Sequence, residues 1–273
     1  LFNVQVIGTD EENKSAVSVV SVPVPSIRGE ILDRNGYPLV TNKQVNKIVF
    51  NYLAFPRDYT ERNKIILELI RIFRKNKVEW NDNLPILNKN GKLVFDKDKP
   101  NEVSYLKSEA FLDLNYYADV EDCFNALVSK YKLEEYSLKD ARNIASVYYS
   151  MVKDGFNTGR NYEFATDVSN ALVSAVKERS DQFPGVDVQV SSERDYYDGT
   201  IAPHVLGIVA NISDSEYESK KAEGYTINDM IGKSGIESVM ESYLRGKNGV
   251  KTITTDAEGN KTETYTQMPE QGN

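Results

Sequence analysis

The sequence is organised around one N-terminal stretch, Arg28-Gly29-Glu30-Ile31-Leu32-Asp33-Arg34-Asn35-Gly36-Tyr37-Pro38-Leu39. This stretch predicts two short extended segments joined by a tight turn. Asn35-Gly36 is a strong hairpin signal, because both residues tolerate the positive φ angles of a type I′ turn. Gly29 indicates a bend or a close approach of another backbone segment. No side chain in the stretch is chemically reactive by itself.

Composition limits the classes of function. The chain has 273 residues, of which 40% are hydrophobic, and this length suits one large domain or two modest ones. The formal net charge of −8 argues against a nucleic-acid partner, since nucleic-acid binding needs clustered cations. The single cysteine, Cys123, excludes a disulfide within the chain and is predicted to be a buried core thiol. The single histidine, His204, argues against a histidine-based zinc site, and neither a metal nor a cofactor is predicted.

The ends of the sequence carry no targeting signal. No run of about 18 apolar residues predicts a membrane-spanning helix, and no signal peptide opens the chain. The sequence begins at Leu1 without an initiator methionine and ends in Pro269-Glu270-Gln271-Gly272-Asn273. Both ends are expected to be boundaries within a longer protein.

The hydrophobic period changes along the first two thirds of the chain. β-Branched residues predict strands over 16–27 and 45–53, and Pro23 and Pro25 would keep the first of these at a sheet edge. From about residue 60, apolar side chains recur at helical spacing. Helices are predicted from Asp58 or Thr60 to about Asn76, over 119–132, from Ser137 (with Asp140 as its capping partner) to a stop at Gly155, and from Asp167 or Ser169 to about Glu178, with a small hairpin at 88–91.

Extended character returns in the last third. Residues 186–190 alternate as a half-buried strand does, and 204–210 form a second short apolar run. A short helix is predicted from Ser213 or Asp214 to Gly224, and a hairpin over 250–266. Ser234-Gly235-Ile236-Glu237 has the spacing of a capping box. The helix behind it is predicted to bury Ile236, Met240, Tyr243 and Leu244 before Gly246 ends it.

Two blocks of motifs resemble one family, the class B penicillin-binding proteins. The N-terminal stretch resembles the "RGxIxDRNGxxLA" segment that opens their extracellular part. Near the C-terminus, 194–199 and 202–207 resemble "RxYPxG…AxHxLG", and 231–237 and 244–249 resemble "GxSGIE…LRGxxG". The order and spacing of the blocks fit as well. Tyr197 departs from the family, which usually has proline there, and puts the geometry of that turn in doubt.

This resemblance implies the membrane-proximal, non-catalytic dimerisation or pedestal region of such a protein, of the elongation type rather than the division or sporulation type. The implied fold is α+β, an extended β-rich pedestal framework with an inserted, mainly helical head lobe. The implied limits are 1–58 for the N-terminal part of the pedestal, 59–183 for the head lobe and 184–273 for the C-terminal part. The last part would end at the linker to a transpeptidase domain that this sequence does not include.

The resemblance also implies location and partners. The parent protein would be a serine-type DD-transpeptidase on the outer face of the cytoplasmic membrane, anchored by an N-terminal helix absent from this sequence. Its partners would be a SEDS-type glycan polymerase, elongation scaffold proteins, its own transpeptidase domain and, from the historical domain name, a second copy. The motif residues expected to have structural roles are Arg28, Gly29, Asp33, Arg34, Asn35, Gly36, Arg194, Gly199, His204, Gly207, Gly232, Ser234, Gly235, Glu237, Arg245 and Gly246.

Two of these roles are specific expectations. Arg28 with Asp33 and Arg34 could form buried ion pairs that lock the hairpin to the C-terminal segment. His204 is expected to hydrogen-bond the backbone near the Gly207 turn rather than to act in catalysis.

A complete transpeptidase set is missing from the sequence. Such a set needs Ser-x-x-Lys, Ser-x-Asn and Lys-Thr/Ser-Gly. Ser-x-x-Lys occurs four times by chance (Ser104/Lys107, Ser129/Lys132, Ser150/Lys153 and Ser174/Lys177), Ser-x-Asn does not occur, and Lys233-Ser234-Gly235 is better explained as a helix start. A non-catalytic interaction domain is therefore predicted. A carboxylate-based surface hydrolase and a stand-alone extracytoplasmic binding protein remain as alternatives.

Overall fold

A computed structural model describes residues 18–24, 26–156, 160–197, 202–255 and 261–273. The chain divides into a first unit, residues up to 44 together with 192–273, and a second unit, residues 45–191. The second unit extends beyond the implied head lobe of 59–183, because Ile48 and Phe50 lie in its hydrophobic core. Of the motif residues, Gly199 lies outside the described residues, as does the tip of the predicted C-terminal hairpin.

The elements follow one another in mixed order. In chain order they are β1 (Ser18–Val24), β2 (Ile31–Leu32), β3 (Pro38–Phe50), α1 (Tyr59–Lys75), β4 (Ile86–Lys89), β5 (Lys92–Phe95), α2 (Pro100–Lys107), α3 (Val120–Tyr131), α4 (Leu138–Lys153), β6 (Tyr162–Ala165), α5 (Asn170–Lys177), β7 (Val186–Tyr196), α6 (Pro203–Leu206), β8 (Val209–Asn211), α7 (Asp214–Lys220), β9 (Met230–Gly232), α8 (Gly235–Val239), α9 (Glu241–Leu244), β10 (Gly249–Thr255) and β11 (Lys261–Gln267). The predicted mixture of helices and strands is confirmed.

Four antiparallel strand pairings organise the first unit. β1, β10 and β11 form a sheet in that order, with Ser21 opposite Thr252. β1 is an edge strand of this sheet, as Pro23 predicts. β2 pairs with β3 through Ile31 and Val40, and β8 pairs with β9. A small apolar cluster supports this unit, formed by Ile31, Val40, Leu206 and Leu244.

The turn between β2 and β3 differs from the predicted type I′ turn. Only Gly36 has a positive φ, of 83°, and Asn35 does not. The Gly36 N–H donates to the Asp33 carbonyl oxygen at 3.0 Å. The Asp33 carboxylate accepts from the backbone N–H groups of Asn35 (2.8 Å) and Tyr37 (2.9 Å). The aspartate therefore shapes the turn, and a single left-handed glycine is enough to complete it.

The second unit is built on a helical core. α1, α3 and α4 bury a continuous set of apolar residues that includes Ile66, Leu127 and Ile144. Of the predicted caps, Asp58, Ser137 and Ser169 each accept a hydrogen bond from a backbone N–H in the first turn of a helix, and Asp119, which was not predicted as a cap, does the same for α3. Cys123 is buried as predicted, and burial raises the pKa of its thiol.

Some boundaries were not foreseen. The strand predicted at 45–53 is the second half of β3, which begins at Pro38 and ends at Phe50 because 51–55 turn. The strand predicted at 186–190 continues to Tyr196, and 204–210 are divided between α6 and β8. α2 and β6 were not predicted. No helix among the described residues is both long enough and apolar enough to span a lipid bilayer.

Candidate functional site

Residues from the two motif blocks meet in the first unit at a cluster of opposite charges. The Arg28 Nε donates to Glu237 Oε2 at 2.6 Å, and its Nη2 donates to Glu241 Oε2 at 2.7 Å. The Arg194 Nε donates to the other oxygen of Glu237, Oε1, at 2.9 Å. We call Arg28, Arg194, Glu237 and Glu241 the ion-pair cluster. Its members come from the N-terminal stretch, from the end of β7 and from α8 and α9.

Neutral groups add further hydrogen bonds to this cluster, although the buried Nη2 of Arg194 has no partner among the described residues. The Arg194 Nη1 donates to Asn42 Oδ1 at 3.0 Å, and Asn42 Nδ2 donates to the Arg28 carbonyl oxygen at 2.7 Å. Glu241 accepts from the Tyr225 hydroxyl and from the Gly232 N–H, each at 2.9 Å. The Glu237 side chain is 0% exposed and that of Arg194 is 7% exposed. Buried charges of this kind persist only when they are paired and hydrogen-bonded.

Pairing within the cluster favours the charged form of Glu241. Burial by itself would raise the pKa of Glu241, but hydrogen bonds from Arg28 and from the Gly232 N–H outweigh it and hold that pKa below the usual 4.5. Burial by itself would lower the pKa of Arg28, but the adjacent Glu241 and Glu237 raise it above its ordinary value. Burial, together with the Glu241 charge, raises the pKa of Tyr225. Arg28, Glu241 and Tyr225 therefore bind one another, and their pKa values do not suit proton exchange with a substrate.

Five of the motif glycines lie where backbone segments touch. A Cβ atom at Gly29 would be 2.1 Å from the Asn273 carbonyl oxygen, and one at Gly207 would be 1.8 Å from that of Ser234. Similar overlaps would occur at Gly232, Gly235 and Gly246. Side chains are therefore excluded at these positions by close packing of the main chain. The prediction of a close approach at Gly29 is confirmed.

The last residues are tied to the same region. The Gly29 N–H donates to the Leu244 carbonyl oxygen at 2.7 Å, and the Gly272 N–H donates to that of Ile27 at 3.0 Å. The Asn273 N–H donates to the Tyr243 carbonyl oxygen at 3.0 Å. The N-terminal stretch, α9 and the final residues thus form one hydrogen-bonded junction.

The predicted capping box at Ser234 is wrong. Ser234 is the residue before α8, but its side chain makes no capping hydrogen bond. The Glu237 carboxylate instead forms ion pairs with Arg28 and Arg194. These charge-assisted hydrogen bonds are stronger than the single bond that a backbone N–H would donate in a capping box. The predicted burial of Met240 and Tyr243 is also wrong, because Glu237 and Glu241 occupy the inward positions of α8 and α9, and both apolar residues are exposed.

Other motif residues lie outside the ion-pair cluster. Asp33 is half-buried and Arg34 is exposed, and neither forms an ion pair with a described residue, so only the Arg28 part of the predicted lock is found. Backbone hydrogen bonds, chiefly from Tyr37, lower the pKa of Asp33. The Arg245 Nη2 donates to the Gly224 carbonyl oxygen at 2.7 Å, and its guanidinium stacks on Tyr225. His204 is exposed and makes no hydrogen bond to a described residue, so its predicted backbone bond is wrong.

Sequence reasoning missed three members of the site. Asn42 and Tyr225 fall outside the quoted motifs, and Glu241 was not singled out within its helix. The four-residue spacing of Glu237 and Glu241 was the available signal, because it places both carboxylates on one helical face. No group of three or more His, Cys, Asp or Glu side chains that could hold a metal ion occurs in the described part of the chain.

The pKa of Glu241 leads to a pH prediction. Because it is lower in the folded chain, the stability it contributes is present above about pH 4.5 and is lost as the pH falls through the folded value. Glu241→Gln is therefore expected to lower the urea midpoint most at neutral pH. The difference in urea midpoint between the variant and wild type should become smaller below about pH 4.5, since glutamine resembles the protonated form of Glu241. The control is Glu218→Gln, at an exposed position, and its urea midpoint should differ little from that of wild type at any pH. A difference for Glu241→Gln that does not change with pH would contradict the lowered pKa of Glu241.

Comparison with known proteins adds the family context. The penicillin-binding protein dimerisation domain matches residues 23–273. Penicillin-binding protein 2A of Bacillus subtilis (strain 168) is 28% identical over 267 residues, which cover 94% of this chain and 36% of the relative. Peptidoglycan D,D-transpeptidase MrdA of Acinetobacter baumannii is 35% identical over 95 residues, 35% of this chain and 14% of the relative.

A solved structure shares the fold. Penicillin-binding protein 2B from Streptococcus pneumoniae (strain 5204) superposes with a TM-score of 0.52 at 20% identity, over 94% of this chain and 40% of that one. The Bacillus and Streptococcus relatives match nearly the whole of this chain, but the chain covers well under half of the length of each of them.

Proposed function

Because the chain belongs to the penicillin-binding protein dimerisation-domain family, we propose that it is the non-catalytic pedestal of a peptidoglycan DD-transpeptidase of the elongation type. The resemblance drawn from the two motif blocks to this dimerisation region is confirmed by the family match. The parent activity, a serine-type transpeptidase acting in cell-wall synthesis, is part of the proposal, since this chain corresponds to only 36% of the Bacillus relative.

One observation carries the proposal. The motif residues build a closed, buried ion-pair cluster and a backbone junction, rather than the lining of a cleft. Glu237 is fully buried beneath two guanidinium groups, so it is inaccessible to a substrate. The junction fixes the last two residues, because the Gly272 N–H donates to the Ile27 carbonyl oxygen and the Asn273 N–H donates to that of Tyr243. A polypeptide continuing from such a junction would leave it in a defined direction, as a pedestal requires.

The proposal includes a place and partners. The parent would stand on the outer face of the cytoplasmic membrane, held by an N-terminal transmembrane helix. The pedestal would contact a SEDS-type glycan polymerase and an elongation scaffold protein, so that polymerisation and crosslinking are coupled. A second copy of the chain is a further expected partner, from the name of the domain.

The absence of catalysis can be tested by intact-mass measurement after incubation with a β-lactam. We expect no added mass on this chain, because its Ser-x-x-Lys pairs are not organised as an active site: Ser150 donates to the Asn81 carbonyl oxygen, and Lys153 pairs with Glu102. The parent protein with its catalytic segment is the positive control. A stoichiometric adduct on this chain would contradict the proposal, and release of sugars from purified sacculi would favour the hydrolase alternative.

A further inference from the structure

A loop in the second unit presents two tyrosine side chains to solvent. We call residues 108–119, between α2 and α3, the tyrosine loop. Tyr116 is 85% exposed and Tyr117 is 71% exposed, although tyrosine usually buries much of its ring. Their rings lie 5.1 Å apart and are inclined at 78°, so the ring planes are close to perpendicular.

The tyrosine loop is fixed at several points. The Leu114 N–H donates to the Lys107 carbonyl oxygen, and the Asp113 N–H to that of Ser108, each at 2.8 Å. The Lys107 ammonium donates to the Tyr116 carbonyl oxygen at 2.8 Å. Phe111 is buried, with its ring against Tyr149 of α4. Such bonding reduces the entropy that a binding loop loses when it engages a ligand.

Two open grooves flank the tyrosines and share Leu114. The first has a volume of about 170 Å³ and is lined by Val103, Ser104, Lys107, Ser108, Leu114 and Tyr116. The second has a volume of about 300 Å³ and is lined by Leu114, Asn115, Tyr117, Ala118, Asp122 and Asn125. One tyrosine therefore borders each groove.

The free polar groups of the grooves are mostly neutral. Within the described residues, the amide side chains of Asn115 and Asn125 make no hydrogen bonds, so both have donors and acceptors to offer. Asp122 is already engaged, because its carboxylate accepts from the Asp119 N–H in the capping box of α3. The acidic first turn of α3 disfavours an anionic partner.

Flat aromatic rings beside unpaired amides fit a carbohydrate. The C–H faces of a pyranose can pack on tyrosine rings, whose faces carry negative partial charge. Amide groups can donate to and accept from sugar hydroxyl and acetamido groups. The grooves are open and polar-rimmed, in contrast to the enclosed apolar pockets that anchor hydrophobic side chains of a protein partner.

We propose that the tyrosine loop binds a wall glycan strand, a chain of β-1,4-linked N-acetylated hexosamines. Tyr116 and Tyr117 supply the stacking surfaces, and Asn115 and Asn125 supply hydrogen bonds. This inference rests on the proposed function, because a role in wall synthesis places such a strand within reach of the chain. The second unit would thereby hold glycan near the site of crosslinking.

The test is a calorimetric titration of the 273-residue chain with a tetrasaccharide of β-1,4-linked N-acetylglucosamine. We expect saturable binding that the double variant Tyr116→Ala/Tyr117→Ala weakens by about tenfold or more. Tyr37→Ala is the matched control, since Tyr37 is 70% exposed but lies in the first unit, and it should bind as wild type does. Thermal midpoints of all the variants should agree, because the substituted side chains are exposed.

Three outcomes would overturn the inference. They are no saturable binding of the tetrasaccharide by wild type, equal binding by the double variant, and binding at the loop of a free stem peptide but not of the sugar. Because this titration contains no polymerase, it is independent of the partner proposed above. If the tetrasaccharide does not bind but the polymerase retains the chain, only the glycan site is rejected. If the tetrasaccharide binds but the polymerase does not retain the chain, only the pedestal function is rejected.

Discussion

Glu237→Ala is expected to lower the free energy of unfolding of the first unit by about 3–5 kcal/mol, the usual cost of removing one partner from a buried ion pair. The substitution leaves Arg194, which is 7% exposed, with the Asn42 amide as its remaining side-chain partner among the described residues. It also deprives Arg28 of one of its two carboxylates. Urea unfolding at neutral pH, followed by circular dichroism, measures the loss.

The matched control is Glu218→Ala, another glutamate-to-alanine change in the first unit. Glu218 pairs with Lys221 one helical turn away, and both side chains are exposed. Exposed pairs of this kind contribute less than about 1 kcal/mol. If the two variants lose equal stability, the ion-pair cluster does not support the fold as described here.

Gly207→Ala is expected to cost about 3 kcal/mol or more, from two causes. Gly207 has φ of +83° and ψ of −165°, a conformation that essentially only glycine adopts, so the backbone of a residue with a Cβ pays about 1–3 kcal/mol there. The new methyl group would also lie 1.8 Å from the Ser234 carbonyl oxygen, so the backbone must move, at a further cost of about 1–3 kcal/mol.

Gly36 provides the control, a glycine with a positive φ but no steric overlap. It has the same φ of +83°, but nothing lies within 4 Å of a Cβ built there. Gly36→Ala should therefore lose only the backbone part, about 1–2 kcal/mol. Equal losses at the two positions, measured by urea unfolding, would mean that the junction around Gly207 relaxes freely and does not require glycine.

Local signals in the sequence predicted local structure well. Helices begin at Asp58, Asp119 and Ser137 because the side-chain oxygen of each residue accepts a hydrogen bond from a backbone N–H two or three residues later. The apolar spacing that follows each cap fixes the face that is buried. The α2 helix was not predicted because it has only eight residues and one buried side chain, Leu106. Its sequence therefore shows no helical spacing of apolar residues.

The ion-pair cluster could be predicted only in part. Arg28 and Glu237 stood out through the family motifs, but they are 209 positions apart, and no local pattern pairs them. The Ser234–Glu237 spacing fits a capping box, yet the glutamate lies closer to two guanidinium groups, and charge-assisted hydrogen bonds are the stronger ones. Asn42 and Tyr225 are neutral residues in unremarkable sequence, and only the folded chain shows their contacts.

The turn at Asp33 shows the same limit on a smaller scale. Asn35-Gly36 correctly marked a turn between two extended segments. Its type was decided by the Asp33 carboxylate, which binds two backbone N–H groups of the turn. A dipeptide rule cannot include a competing side chain that lies two residues away.

The central claim is that this chain is an interaction domain that works without the catalytic segment. Co-purification with the SEDS-type polymerase of the same organism tests it most directly, with the chain fused to a single transmembrane helix and co-expressed. We predict retention of the chain in equal amounts with the polymerase, and no retention by an unrelated membrane protein. Retention only when a transpeptidase domain is fused to the chain would contradict the claim, since that domain would then carry the contact.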